Sequence, residues 1–461
     1  MSEQVQKTIK WTASVLLPLL LFFIPVNESF PPEIRNFFIS TLFVILLWAM
    51  ELMPFVIPAL MLPIFYILIG IAPTHIAFAP WGHYIPWMLL AGMILTNIFE
   101  EVGLLKRISY WCILRAGGHF NGLLYGLMFS GVIVALILPD IASRTVLFVA
   151  IAYGICKALE LKPYSKSATA VMLVGVMTAL TPGYIFYTSA AQTLIAWDMA
   201  SKSGFEITWI NYFLYNGLPT LIWCFLTVAI IQVMFRSNEV DAAECKACFE
   251  EEHRKLGKLS RNEKKLAAVA AALCLFAVTE SYHGIAVGWG FVAAVFVCYL
   301  PGINLGKEHS SQAVNYGLII FVASCMAIGA VSNHIGAGIF VADLLQPYVS
   351  GSQMHIISAS WLMAVLLNFV MTPLAAVASL SGPLAGIVEQ TQAAIVPVLY
   401  AWNQGLEQII LPYEYALILL AFGYGYISIK PFIKFFAVRM VANFVFLWVI
   451  CTPFWMLIGI M

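Results

Sequence analysis

Long apolar runs, separated by short polar or Pro- and Gly-containing stretches, recur along the whole chain. They lie at about 11–26, 36–50, 53–72, 84–100, 168–187, 209–235, 266–280, 284–301, 315–335, 411–428 and 436–459. A helix needs roughly 20 apolar residues to cross a hydrocarbon core of about 30 Å, so the pattern predicts about eleven transmembrane helices. The run Trp11 to Val26 has no small-residue cleavage site after it and is followed by many others. It reads as a first span rather than a signal peptide.

Two regions do not fit as simple spans. Residues 121–159 hold an apolar limb, a polar break at "PDIASRT", and a second limb. Residues 352–391 repeat the design, with the break at "MTPLAAVASLSGP". Each reads as a re-entrant hairpin that enters and leaves on one side. A limb from Gly122 to Pro139 rises about 25 Å, enough to bring its tip to the bilayer midplane. Backbone that is not helical is tolerated at that depth only where protein or a water-filled cavity surrounds it.

Composition agrees with the pattern. Of the 461 residues, 62% are hydrophobic and 10% charged, and the mean hydropathy is +0.92. That is a polytopic membrane protein. The formal net charge is zero, so nothing favours a nucleic-acid partner. The cysteines are scattered, mostly within apolar segments, and read as small core hydrophobes. Cys245, Cys248 and His253 fall short of the four ligands a structural zinc site wants, so no metal is expected. A membrane-embedded enzyme is disfavoured by the absence of H-E-x-x-H, of paired intramembrane aspartates and of a Gly-x-Ser-x-Gly elbow.

Charge sets the expected orientation. With Lys7 and Lys10 inside, all 23 Lys and Arg except Arg35, Lys202 and Arg144 fall on the cytoplasmic side or at its edge, Arg439 among them. The positive-inside bias then predicts an inner-membrane protein with a cytoplasmic N-terminus and an external C-terminus. The first hairpin enters from the cytoplasm and the second from outside. Residues 236–265 are mixed in charge and read as a solvated cytoplasmic linker helix. The expected division is 1–120 scaffold helices, 121–235 a transport part with the inner hairpin, and 236–265 the linker. The second repeat then has scaffold helices at 266–350 and a transport part with the outer hairpin at 351–461. Spans, then a hairpin, then two spans, in two halves of opposite orientation, form an inverted repeat of the kind found in secondary transporters.

Three stretches carry a resemblance to a known family. "WAMELMPFVIPALMLPIFYILIGI" resembles an early helix with the pattern Thr-Glu-x-x-Pro-x-x-x-x-Ala-Leu, in which Glu51 and Pro54 match. "FEEVGLLKRISYWCIL" resembles an amphipathic segment before the first hairpin. "FGYGYISIKPFIKFFAVRMVANFVFLWVICTPFWMLIGI" resembles a C-terminal signature. The family is the divalent anion:sodium symporters, carriers of di- and tricarboxylates and sulfate, and the resemblance covers nearly the whole chain. It implies an elevator-type transporter, a homodimer in the lipid bilayer, and an anion bound between the two hairpin tips.

The family marks each tip with Ser-Asn-Thr, used around sodium and substrate carboxylates. Here the first tip reads Ser143-Arg144-Thr145, and the second offers Thr372, Ser379 and Ser381. "FYTSAAQTLIA" resembles the family's unwound loop after the first hairpin, with Thr188, Ser189 and Gln192 or Thr193. The equivalent second loop falls near "LPYEYALILL", with Tyr413, Glu414 and Tyr415. Asp140 and Arg144 are four apart, so on one helix they would face each other. One reading is a mutually neutralised pair that holds the tip. The other is that Arg144 grips an anion with its bidentate fork, with Asp140 as its resting partner or a proton-coupling site. A fixed positive charge at the tip predicts weak or absent sodium dependence, and no cofactor is expected. The function expected is secondary transport of small organic anions, most simply di- or tricarboxylates. The alternatives are a carrier of sulfate or another inorganic anion, or a degenerate carrier fold that senses an anion without transporting it.

Overall fold

The computed structural model describes residues 3–28, 30–50, 52–117, 119–237, 242–349, 351–369, 372–411 and 414–461. The described residues form helices and turns, and none is in a strand. Eight helices among them are long and apolar enough to cross a membrane; Val56–Leu68, Val287–Tyr299 and Gln353–Asn368 are shorter apolar helices. The chain is thus an all-α polytopic membrane protein.

It divides into two compact units. Unit I comprises Met1–Pro86, Leu194–Glu206 and Asn315–Leu406; unit II comprises Trp87–Thr193, Ile207–Val314 and Glu407–Met461. The first hairpin lies in unit II and the second in unit I.

Local chemistry fixes the first hairpin. Its limbs are Phe120–Ile137 and Ile141–Ala158. The first limb ends because Leu138 precedes Pro139, whose ring pushes the residue before it out of the helical region. Leu138 is extended accordingly, at φ −110 and ψ 112. Asp140 then caps the second limb. Gly131 lets the first limb approach its neighbour closely, since a Cβ there would lie 2.5 Å from the Thr178 carbonyl oxygen. That neighbour, Lys166–Leu180, is buried at every residue from Ser167 onward. Protein therefore surrounds this helix on every side.

The helix then breaks. Residues Thr181–Tyr184 and Tyr187–Ser189 are short 3-10 turns, Phe186 and Ala190 are extended, and the helix resumes at Ala191–Ser201. Residues 181–190 are all buried, which satisfies the requirement that irregular backbone at depth be wrapped in protein.

The second half repeats this order. Unit I holds the hairpin Gln353–Asn368 and Pro373–Thr391, then the helix Ile395–Leu406, buried from Pro397 onward. The chain passes into unit II at Glu407, leaves the helix, and resumes at Ala416–Gly423. A π-turn interrupts the last long helix of each half, at Phe213–Gly217 and at Leu447–Cys451. In both cases a proline sits one residue into the next segment, Pro219 and Pro453. Proline has no N–H to give, and a widened turn absorbs the mismatch.

Two expectations are corrected. The run 411–428 does not form a spanning helix. Its helical part is the 8 residues Ala416–Gly423, about 12 Å long, after which Gly425 turns the chain at φ +74. The buried helix Ile395–Leu406 takes the place of that span, and its polar end masked it in the sequence. The linker is also not freely solvated. Its helix Ala242–Lys255 buries Phe249 against Tyr110, with ring centroids 5.9 Å apart. Arg107 donates to the carbonyls of Leu256 and Gly257 at 2.9 Å and pairs with Glu263. Among the described residues no group of three or more His, Cys, Asp or Glu could hold a metal; the side chains of Cys245 and Cys248 lie outside the described residues.

Candidate functional site

The first tip is built around the start of Ile141–Ala158. The Asp140 carboxylate accepts from the Ala142 N–H at 3.2 Å, the Ser143 N–H at 2.7 Å and the Ser143 hydroxyl. It serves the free N–H groups that open every helix. The Thr145 hydroxyl donates back to the Ile141 carbonyl at 2.8 Å. Ser143 and Thr145 are thus engaged within the tip itself.

Arg144 points elsewhere. It is 0% exposed. Its Nη1 donates to the Leu138 carbonyl at 3.2 Å and its Nη2 to the Ser189 carbonyl at 2.8 Å. Its Nε is buried without a partner. The expected pairing with Asp140 is not formed: Asp140 lies before the first helical turn, so the four-residue rule for a helix face does not apply to it. Between the two side chains the Asp140 carboxylate acts on the Arg144 guanidinium only through space, while the Arg144 N–H donates to the Asp140 carbonyl at 3.3 Å.

Through Ser189, Arg144 reaches the first break. The Ser189 hydroxyl donates to the Ala135 carbonyl of the first limb. Gly183 lies against the guanidinium, since a Cβ there would come within 2.6 Å of Nη2. Thr188 accepts from the Trp209 indole at 3.1 Å. Thr193 is fully buried, and Gln192 is buried beside it. Glu414 turns onto its own backbone, accepting from Ile410 N at 3.1 Å and Leu411 N at 3.0 Å. Tyr413 lies outside the described residues, as does Glu51.

The sequence reading missed a second buried arginine. Arg439, placed there among the cytoplasmic-edge bases, is 0% exposed in Ile429–Phe446. It forms an ion pair with Glu407 at 2.8 Å and donates to Gln408 Oε1 and Thr181 Oγ1, each at 3.1 Å. Its guanidinium lies 5.2 Å from the Trp223 ring centroid. Thr181 opens the first break and Glu407 the second, so one side chain ties both. The available signal was the cluster Asn403, Gln404, Glu407 and Gln408 between apolar runs, with Asn443 one turn past Arg439.

The second tip, in unit I, is neutral. Thr372 caps Pro373–Thr391 by accepting from Ala375 N at 3.4 Å. Ser379 donates to the Ala375 carbonyl at 2.7 Å. Ser381, fully buried, accepts from the Trp402 indole at 3.1 Å. The predicted residues therefore fall into two groups: Asp140, Ser143, Arg144, Thr145, Thr188, Ser189, Gln192, Thr193 and Glu414 in unit II, and Thr372, Ser379 and Ser381 in unit I.

A family model described as the sodium:sulfate symporter transmembrane region matches residues 5–461. The chain is 22% identical over 370 residues to a protein of Spinacia oleracea named dicarboxylate transporter 1, chloroplastic. That match covers 77% of this chain and 64% of the spinach protein, so the chain spans less than two thirds of that relative. It is 23% identical over 420 residues to a membrane protein of Cupriavidus necator, covering 87% and 80% of the two chains. Among solved structures, the YdaH transporter of Alcanivorax borkumensis aligns with a TM-score of 0.58 at 15% identity. The alignment covers 86% of this chain and 88% of that one, and it shows the fold alone.

Proposed function

The chain belongs to the sodium:sulfate symporter family of membrane transporters, and from that premise we propose that it carries small organic anions, specifically di- or tricarboxylates, with a carboxylate held at Arg144. One observation carries this reading. Arg144 is a fully buried guanidinium whose protein partners are carbonyls rather than a carboxylate, and one of its N–H groups is open. A buried guanidinium that no carboxylate contacts directly is costly, and an anionic ligand supplies that contact in the geometry the fork favours. The start of Ile141–Ala158 adds a helix N-terminus, whose dipole favours negative charge. The relatives named dicarboxylate transporters support the substrate class.

The rest of the reading follows from the same premise. The protein works by an elevator movement, as a homodimer in the inner membrane, with its N-terminus in the cytoplasm and its C-terminus outside. Sodium dependence is weak or absent. A cation held about 4 Å from Arg144 would meet roughly 4 kcal/mol of repulsion at an effective dielectric of 20. The test is uptake of labelled malate into proteoliposomes, with sulfate as competitor. Saturable malate uptake that requires Arg144 supports the reading; sulfate uptake without malate uptake assigns an inorganic anion instead. Binding without uptake of either leaves a sensor. A single cysteine at Ser260 that an impermeant reagent labels from outside intact cells overturns the orientation.

A further inference from the structure

Glu407 has no role in the anion site as described, yet its surroundings are unusual. It is 3% exposed and stands where the second break begins. Its Oε1 lies 2.8 Å from Arg439 Nη2. Both carboxylate oxygens are buried without a hydrogen-bond partner, and Oε2 lacks the ion-pair contact as well. The titratable groups that face it are Arg439 from Ile429–Phe446, Tyr184 from the first break and Cys224 from Leu218–Met234. None of the hydrogen bonds among the described residues reaches Oε2. A carboxylate oxygen held away from water with no donor calls for one, and there is little need for space if the donor is a proton.

We propose that Glu407 is a proton-binding site that couples anion transport to the proton gradient, an inference that rests on the transporter reading above. With Glu407 ionised, its pair with Arg439 is neutral. A proton taken from water forms an O–H bond at Oε2 and leaves the pair with one positive charge. Arg439 then has no counter-charge, while its other donors still hold Thr181 in the first break and Gln408 in the second. An anion entering unit II supplies the missing negative charge. Proton and anion therefore favour each other's binding, and by linkage each raises the other's affinity by the same factor.

The test uses purified full-length protein in proteoliposomes, with the membrane potential clamped at zero and no sodium. Labelled malate is supplied at pH 7 outside and pH 8 inside, where malate is a dianion on both sides. With one proton per anion, each unit of ΔpH raises the limiting accumulation ratio about tenfold. Glu407→Gln should bring the ratio back to about one, and so should the double variant Glu407→Gln, Arg439→Gln, which keeps the buried charges balanced. A second measurement needs no variant: malate added to the wild-type protein in unbuffered solution should raise the pH as protons are taken up. Accumulation by the wild type that ignores ΔpH, a sodium gradient that drives it instead, or a ΔpH response that survives in either folded variant overturns the inference. Malate–malate exchange at equal pH separates the two levels. Exchange without ΔpH-driven accumulation removes Glu407 alone, whereas no exchange and no binding removes the transporter reading and this inference with it.

Discussion

The two hairpin tips share a frame and differ in their chemistry. In each, the second limb starts from a residue whose side chain accepts a main-chain N–H of the first turn, Asp140 in one and Thr372 in the other. A proline adjoins each cap, Pro139 before Asp140 and Pro373 after Thr372. Counting from the caps, Ser143-Arg144-Thr145 corresponds to Ala375-Ala376-Val377, and these three are buried apolar residues. Both tips thus carry a cap, because every helix opens with N–H groups that lack a partner within it. Only one tip carries a charge. The cap belongs to the fold, and Arg144 is an addition to it.

The sharpest way to test that difference is to remove the charge. Arg144→Gln should lower malate affinity at least thirtyfold by calorimetry, since truncating one partner of a desolvated charge pair costs about 2–5 kcal/mol and about 1.4 kcal/mol is tenfold. Arg144→Lys should keep only a remnant, having the charge without the fork. Were Arg144 merely structural, the double variant Asp140→Asn, Arg144→Gln would fold and transport normally.

Next in size is the second tip's own buried contact. Ser381→Ala should cost about 1–3 kcal/mol of stability, because it leaves the Trp402 indole N–H without its acceptor. Malate affinity should stay within twofold of the wild type. A large loss of binding at unchanged stability would erase the contrast between the tips.

The caps should behave alike. Asp140→Ala and Thr372→Ala should each lower stability by about 1 kcal/mol in thermal unfolding, and Asp140→Asn should cost less because Asn caps as well as Asp. Unequal caps would mean that Asp140 does more than hold its helix.

The smallest effect lies away from both tips and serves as their reference. Burial raises the Glu263 carboxyl, but Arg107 and Ser260 outweigh it, so its pKa lies below the ordinary carboxylate value. A depressed folded-state value adds stability above the unfolded value, near 4.3, and that contribution is lost as pH falls through the folded one. Glu263→Gln should therefore be less stable than wild type at pH 7, and the gap in unfolding temperature should narrow below about pH 4.

Much of this was legible residue by residue. Pro139 ends a limb through sterics that need no neighbour, and Asp140, Thr372, Ser165 and Ser260 are caps whose partners lie within three residues. The first break was legible too, because "TPGYIFYTS" interrupts an apolar run. The second was read several residues late, at Tyr413 and Glu414. The buried helix before it ends in Asn403 and Gln404 and so does not look like a span.

The sequence by itself determined the class of the molecule: an apolar chain must satisfy its backbone within its own helices to live in lipid, and the runs and their interruptions follow from that local demand. It also pointed to a buried Arg144, since the short polar break that holds it lies between two long apolar limbs. What Arg144 touches was decided only by tertiary structure. Its carbonyl partner Ser189 is 45 residues away. Arg439 and Thr181 are 258 residues apart and share no local pattern. Hydrogen bonds and ion pairs between distant segments depend on where helices cross, and crossing is set by close contacts such as Gly131 on Thr178, which no periodicity along one helix encodes.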